Sequence, residues 1–209
     1  MPEAGPGAPL PFRLGAIILA AGGSSRMGTV KQLIELEGKP LIVRAADAVL
    51  GSPARPVVVV VGAHAEEVRA PVAGRPVSVV FNPDWSTGLA SSIRVGLAAL
   101  LAAEPCLDAA LVALCDQPAL SPEVIVKLAS VHRATGRIAA ARYCGRNGAP
   151  AVFGRAHFAV LGAMEGDEGA RKMLNGRPES VAAIDLPEMG VDLDTPADRE
   201  GWVRRRSQE

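Results

Sequence analysis

The residues best suited to chemistry lie in one glycine-rich stretch near the start of the chain. An apolar run over residues 16–19 predicts a buried strand. Two glycines, two serines, Arg26, Gly28 and Lys31 follow it. Such a loop offers backbone N–H groups, hydroxyls and two cations, which together suit a polyphosphate. A plain Gly/Ser turn is the alternative, but two cations at the mouth of a strand favour phosphate binding.

The stretch does not match the common phosphate-binding motifs. Gly23 and Gly28 have the spacing of a P-loop, but Thr29 and Val30 follow where that motif requires a lysine and a hydroxyl residue. The sequence contains no Gly-x-Gly-x-x-Gly fingerprint. This argues against an NAD-dependent enzyme.

Carboxylates in two later segments of the chain are candidate metal ligands. Asp116 follows residues 108–114, a predicted central strand, and desolvating it is costly unless a partner such as nucleotide-bound Mg²⁺ compensates. Helix capping is the alternative, but Ser121 already caps the next predicted helix. Asp192 and Asp194 share one face of a predicted strand and would repel each other without a cation.

Strand and helix patterns alternate along the whole chain. This alternation predicts a mainly parallel sheet with helices on both faces. Ser91 and Ser92 lie in the first turn of a helix predicted over residues 89–101, where they either face the site or simply cap the helix. Residues 145–150 are predicted as a turn.

Composition excludes several classes of partner. The 209 residues carry 22 basic and 22 acidic side chains, so no net field attracts nucleic acid or an anionic membrane. Aromatic residues make up only 3%, which weakens a base-stacking interpretation. The apolar runs, among them 16–21 and 57–61, are too short to span a bilayer. Three cysteines without zinc or redox spacing suit a reducing compartment, so we predict a cytoplasmic protein.

Residues 19–31 resemble the signature Leu-Ala-Ala-Gly-x-Ser-x-Arg-Met-Gly-x-x-Lys, with every fixed position present. That signature opens the NTP transferases of glycosyltransferase-A-like fold, among which the molybdenum cofactor cytidylyl- and guanylyltransferases are the most similar. The resemblance spans roughly residues 14–199 and implies a three-layer, Rossmann-like α/β fold around a mostly parallel, mixed sheet of about seven strands. We therefore predict a disordered tail at 1–12, one nucleotidyltransferase domain over 13–203 and a tail at 204–209.

The resemblance also implies roles for particular residues. The catalytic residues would be Arg26, Lys31 and Asp116, with Mg²⁺ held by Asp116 and by Asp194 in preference to Asp192. Nucleotide binding is predicted for Leu19, Ala20, Ala21, Gly22, Gly23, Ser24, Ser25, Arg26, Lys31, Gly88, Ser91 and Ser92. Acceptor binding is predicted for Gln117, Pro118, Gly148, Pro150 and Asp167, with simple helix capping as the alternative for Asp167. Cys115 and Ala149 depart from the family pattern, which has glycine and histidine there.

The implied reaction transfers CMP from CTP to the terminal phosphate of molybdopterin and releases pyrophosphate. Ala21 stands where the guanosine enzymes have glycine, and its methyl group narrows the pocket toward a pyrimidine. GTP as the donor and a sugar or polyol phosphate as the acceptor remain alternatives. A non-catalytic nucleotide- or cofactor-binding protein that serves a partner molybdoenzyme is the alternative of another class. Neither a nucleic acid nor a membrane is expected as a partner.

Overall fold

The computed structural model describes residues 12–23, 30–166, 169–191 and 202. Nearly all of the two predicted tails therefore lies outside the described residues. In chain order the elements are β1 (Leu14–Ala20), β2 (Glu35–Leu36), β3 (Lys39–Pro40), α1 (Leu41–Leu50), β4 (Val57–Val61), α2 (Ala65–Val72), β5 (Ser78–Phe81), α3 (Leu89–Ala103), β6 (Ala109–Leu114), α4 (Pro122–Thr135), β7 (Ile138–Tyr143), β8 (Arg146–Gly154), α5 (Phe158–Gly162), α6 (Gly169–Asn175) and β9 (Val181–Asp185). None of the helices within these described ranges is long and apolar enough to cross a membrane.

Seven of the strands form one sheet in the order β5-β4-β1-β6-β8-β7-β9, while β2 and β3 pair separately. The strand β8 runs antiparallel to its neighbours β6 and β7. The remaining pairs in the large sheet are parallel. This is the mixed, mostly parallel sheet of seven strands that the sequence predicted, and the fold class is confirmed.

The two faces of the sheet are covered by different helices, which gives three layers. Along β1, Ala16 and Ile18 face a core shared with α1, α2 and α4. Ile17 and Leu19 face the opposite core, shared with α3, α5 and α6. Because successive side chains of a strand point to opposite faces, a central strand covered on both sides must be apolar throughout. This is why β1 and β4 read as unbroken apolar runs.

The prediction of a turn over residues 145–150 is wrong in its length, because the observed turn is much shorter. Cys144 and Gly145 have positive φ angles of 48° and 73°, and these two residues alone connect β7 to β8. Gly148 and Pro150 lie on β8 itself. The register between β7 and β8 shifts beside Ala140, so residues 149 and 150 form a bulge. A bulge tolerates proline because the extra residue makes no ladder hydrogen bond.

Candidate active site

The glycine stretch leaves β1 at the carboxyl edge of the sheet and is held there by a buried glutamine. Gln32 is 3% exposed, and its Nε2 group donates to the carbonyl oxygens of Ala20 (2.9 Å) and Gly22 (2.8 Å). The Ala21 carbonyl accepts a hydrogen bond from the Ala63 N–H beyond β4 (3.2 Å). Sequence reasoning missed Gln32; a polar residue beside Lys31 was its only signal.

Of the predicted nucleotide-binding residues in this stretch, those at 19–23 are described. The side chains of Leu19, Ala20 and Ala21 are buried in the cores, so these residues offer a ligand their backbone rather than their side chains. A Cβ added at Gly22 would meet no atom of the described residues within 4 Å, so on their side this part of the stretch has free space. Ser24, Ser25 and Arg26 lie outside the described residues, and their predicted roles stay predictions.

Lys31 and Asp116, 85 residues apart in the chain, meet at this edge. Lys31 begins a short 3₁₀ helix (Lys31–Leu33), and Asp116 follows the end of β6. The Lys31 Nζ group donates to Asp116 Oδ2 at 2.7 Å, and the two side chains are 16% and 22% exposed. The fold therefore places a cation and a carboxylate together close to the glycine stretch.

The second oxygen of Asp116 is buried and has no hydrogen-bond partner among the described residues. Burying a carboxylate oxygen without a partner costs free energy, so such an atom needs a compensating cation or donor. The predicted companion ligand Asp194, and Asp192 with it, lies outside the described residues. Within the described part of the chain, no three His, Cys, Asp or Glu side chains cluster as a metal site.

Cys115 precedes Asp116 but faces away from it into the apolar core beneath α1 and α4. Burial, together with the neighbouring Asp116 charge, raises the pKa of the Cys115 thiol above its ordinary value. The thiol is therefore neutral at physiological pH, and this departure from the family pattern adds no nucleophile to the site.

Gln117 is 2% exposed and ties the Asp116 turn to the other half of the sheet. Its Nε2 group donates to the carbonyl oxygens of Ala149 (2.9 Å) and Met189 (3.1 Å), and lies 3.2 Å from the Tyr143 hydroxyl oxygen. These bonds occupy the amide nitrogen with protein groups. Acceptor binding by Gln117 stays a prediction, while its contacts show that it holds the turn in place.

The other predicted acceptor residues are dispersed around this turn. Pro118 lines a cavity of about 790 Å³ on the side of α1 and α4. Pro150 is buried, and Gly148 leaves room for the Tyr143 hydroxyl, which a Cβ would meet. Asp167 lies outside the described residues.

The start of α3 carries a buried hydrogen-bond network. Asn82, fully buried at the end of β5, donates through Nδ2 to the hydroxyl oxygens of Ser91 (2.8 Å) and Ser92 (2.9 Å). The Ser91 hydroxyl in turn donates to the Gly88 carbonyl (2.8 Å). Gly88 has φ 114° and ψ 171°, a conformation that only glycine adopts freely. The serine pair thus fixes the helix start, and contact with a nucleotide remains a prediction.

The pattern of the MobA-like NTP transferase domain matches residues 16–182. The chain belongs to this family. It is 37% identical over 191 residues to nicotine blue oxidoreductase of Paenarthrobacter nicotinovorans. The aligned region covers 86% of this chain and 91% of that protein. The family resemblance found in the sequence is therefore confirmed.

Solved structures agree with this assignment. Rv0371c from Mycobacterium tuberculosis H37Rv is similar with a TM-score of 0.78 and 28% identity, covering 95% of this chain and 99% of that one. Its complex with manganese is similar with a TM-score of 0.74 and 26% identity, covering 92% and 98%. Molybdopterin-guanine dinucleotide biosynthesis protein A from Archaeoglobus fulgidus shares the fold, with a TM-score of 0.63, 17% identity and coverage of 93% and 100%.

Proposed function

We propose that this protein is a metal-dependent nucleotidyltransferase that moves CMP from CTP onto the terminal phosphate of molybdopterin. The observation that carries the proposal is the Lys31–Asp116 pair, in which one carboxylate oxygen is buried and unpartnered among the described residues. The pair lies where the glycine stretch leaves the sheet, so a cation, a carboxylate and the backbone N–H groups of that stretch would be available to one triphosphate.

The donor chemistry of Asp116 fits a divalent cation, because hard cations prefer carboxylate oxygens. We propose Mg²⁺ as the ion, held by Asp116 and Asp194, and the structure of Rv0371c in complex with manganese supports the use of a divalent metal. When bound, the ion would neutralise charge on the triphosphate. Lys31 would then exchange its carboxylate partner for a phosphate oxygen.

The protein's own residues bind and position the reactants. In the proposed step a terminal phosphate oxygen of the acceptor forms a bond to the α-phosphorus of CTP, and the bond from that phosphorus to pyrophosphate breaks. A phosphate acceptor is already largely ionised at neutral pH, so no side chain need remove a proton. Backbone N–H groups of residues 21–25 would bind the phosphates, while Arg26 and Lys31 would neutralise the leaving pyrophosphate.

Support for cytidine and for molybdopterin comes from fewer residues. The support for cytidine is the family resemblance, in which alanine at position 21 accompanies the cytidine enzymes and glycine the guanosine enzymes. The Ala21 methyl group itself packs into the core, so its effect on the base would act through the backbone. On the acceptor side, the proposal relies on Gly148 and Pro150 of β8 and on Asp167. GTP as the donor, or a sugar or polyol phosphate as the acceptor, would use the same phosphate- and metal-binding residues. Only the contacts with the base or with the acceptor would differ.

A second candidate is an oxidoreductase, and the observation that favours it is the 37% identity with nicotine blue oxidoreductase. Such an activity would need a hydride donor, and a reduced nicotinamide dinucleotide is the obvious class. The missing Gly-x-Gly-x-x-Gly fingerprint argues against it. A protein that binds nucleotide without turnover is a third possibility, and release of pyrophosphate separates it from a transferase.

Thermal unfolding with CTP, GTP, ATP, UTP, NADH and NADPH, each with and without Mg²⁺, tests the proposal. A ligand at about a hundred times its dissociation constant should add roughly 2.7 kcal/mol to the unfolding free energy. Selective, Mg²⁺-dependent stabilisation by CTP is the expected result. Preference for another triphosphate would retain the reaction class and discard the cytidine donor. Stabilisation by a nicotinamide dinucleotide alone would favour the oxidoreductase.

A further inference from the structure

The indole ring of Trp85 lies directly against the glycine stretch. Trp85 begins a short 3₁₀ helix (Trp85–Thr87) between β5 and α3. A Cβ on Gly23 would lie 3.1 Å from the indole Cζ3 atom and 3.2 Å from Cη2. These atoms belong to the six-membered ring, so the far end of the indole covers the backbone at Gly23.

The near end of the same side chain packs on Gly62, which follows β4. A Cβ on Gly62 would lie 2.7 Å from the Trp85 Cβ and 2.8 Å from its Cγ, as well as 2.5 Å from the carbonyl oxygen of Ala21. Both glycines therefore lack a side chain where the tryptophan passes. The indole spans the gap between the end of β4 and the glycine stretch.

The backbone that carries Trp85 is itself fixed. The Asp84 N–H donates to the Asn82 side-chain oxygen (3.0 Å), and the Thr87 hydroxyl donates to the Asp84 carbonyl (2.8 Å). Asn82 is completely buried and also holds the start of α3. Because the turn is anchored on a buried side chain, the indole is a rigid surface for the loop that rests on it.

We propose that Trp85 is a positioning residue that holds the backbone at Gly23 in the arrangement that binds the triphosphate. This inference rests on the proposed nucleotide site and adds a residue that none of the sequence motifs assigns to it. Because Trp85 acts through the loop, its loss should weaken nucleotide binding more than it slows turnover at saturation. Misplacing a binding loop by a fraction of an ångström is enough for a measurable loss of affinity.

Calorimetric titration of CTP with Mg²⁺ provides the first test. Trp85→Ala should raise the dissociation constant by about tenfold, while kcat changes less. Trp85→Phe replaces the indole by a smaller aromatic ring that lacks the reach of Cζ3 and Cη2 and the N–H group. It should give a smaller rise in a protein that keeps aromatic packing at this position. If both variants fold and bind CTP with the affinity of the wild type, the proposal is overturned.

A double-mutant cycle with Gly23→Ala identifies the contact itself. Among the described residues, the nearest atoms to the added methyl group are the indole Cζ3 and Cη2 and, at 3.7 Å, the Ala63 Cβ. Gly23→Ala should therefore weaken CTP binding in the wild-type background. Once Trp85 is alanine it should weaken binding little further, because the effects of substitutions at contacting residues are not additive. Equal costs of Gly23→Ala in both backgrounds would show that the methyl group acts on the ligand directly, which would also overturn the proposal.

Intrinsic fluorescence gives a readout independent of turnover. The chain has two tryptophans, so Trp202→Phe leaves Trp85 as the sole reporter. Its emission should change as CTP is added and saturate at the concentration found by calorimetry. If calorimetry detects CTP binding but the emission of Trp85 stays constant, the proposed nucleotide site survives and the role of Trp85 does not. If wild-type protein binds no nucleotide by calorimetry, the proposed function fails first.

Discussion

Two polar turns follow parallel strands at the same edge of the sheet. They differ in whether their buried polar groups have hydrogen-bond partners. After β6, Asp116 keeps a buried carboxylate oxygen with no partner among the described residues. After β5, the Asn82 amide nitrogen donates to the hydroxyl oxygens of both Ser91 and Ser92. Buried polar groups in folded proteins are normally paired. From this contrast we propose that the Asp116 turn receives a ligand, whereas the Asn82 turn maintains the shape of the site.

Asp116→Asn should produce the largest effect, because it removes the charge while keeping the shape of the turn. We expect turnover to fall by about a hundredfold or more, together with loss of Mn²⁺ binding measured by electron paramagnetic resonance. Asp185→Asn is the matched control, since Asp185 is an exposed carboxylate paired with Arg142. If Mn²⁺ binds equally well to Asp116→Asn, the unpartnered oxygen is not a metal ligand and the comparison fails.

Lys31→Met should come next, and its two effects have opposite signs. Loss of one preorganised cation should lower turnover by about a hundredfold. Because the lysine no longer competes for the Asp116 carboxylate, Mn²⁺ without nucleotide should bind more tightly than it does to wild type. Lys39→Met, at an exposed lysine that pairs with Asp47, is the control. Near-normal turnover would remove Lys31 from the mechanism, and unchanged Mn²⁺ affinity would show that the ion pair does not limit metal binding.

Ser92→Ala addresses the second turn and should act on stability. The change removes the Ser92 hydroxyl, which accepts a hydrogen bond from the buried Asn82 amide. Its loss should lower the unfolding free energy by about 1 kcal/mol. Chemical denaturation measures this, with the exposed Ser86→Ala in the preceding 3₁₀ turn as the control. A loss of CTP affinity with no loss of stability would instead show that the hydroxyl contacts the nucleotide, as the family resemblance implies.

Sequence patterns singled out residues whose burial costs free energy or whose type is unusual at that place in the fold. A glycine stretch with two cations, and a carboxylate at the end of an apolar strand, are recognisable because packing alone does not explain them. The alternation of strand and helix patterns likewise predicted the layered sheet. These features are local, so a single chain read in order reveals them.

The tethers that hold the site could not be predicted in this way. Gln117 donates to backbone carbonyls 32 and 72 residues away, and any residue type can supply a backbone carbonyl. The partners of Gln32 are of the same kind. The orientation of Ser91 and Ser92 depends on Asn82, which lies on a different element. Trp85 is recognisable as a positioning residue only once Gly23 and Gly62 are seen beneath it.

Alkylation of the cysteines should have the smallest effect and tests whether the Asp116 turn is as rigid as its tethers indicate. Burial, reinforced by the Asp116 charge, raises the pKa of the Cys115 thiol, so the reactive thiolate does not form as the pH rises through the neutral range. Cys106 and Cys144 are exposed. Iodoacetamide should therefore modify only those two in the folded protein, as mass spectrometry of peptides would show, with turnover retained. Modification of Cys115 without denaturant would mean that the turn opens, and its unpartnered carboxylate oxygen would then be reached by water as well as by a ligand.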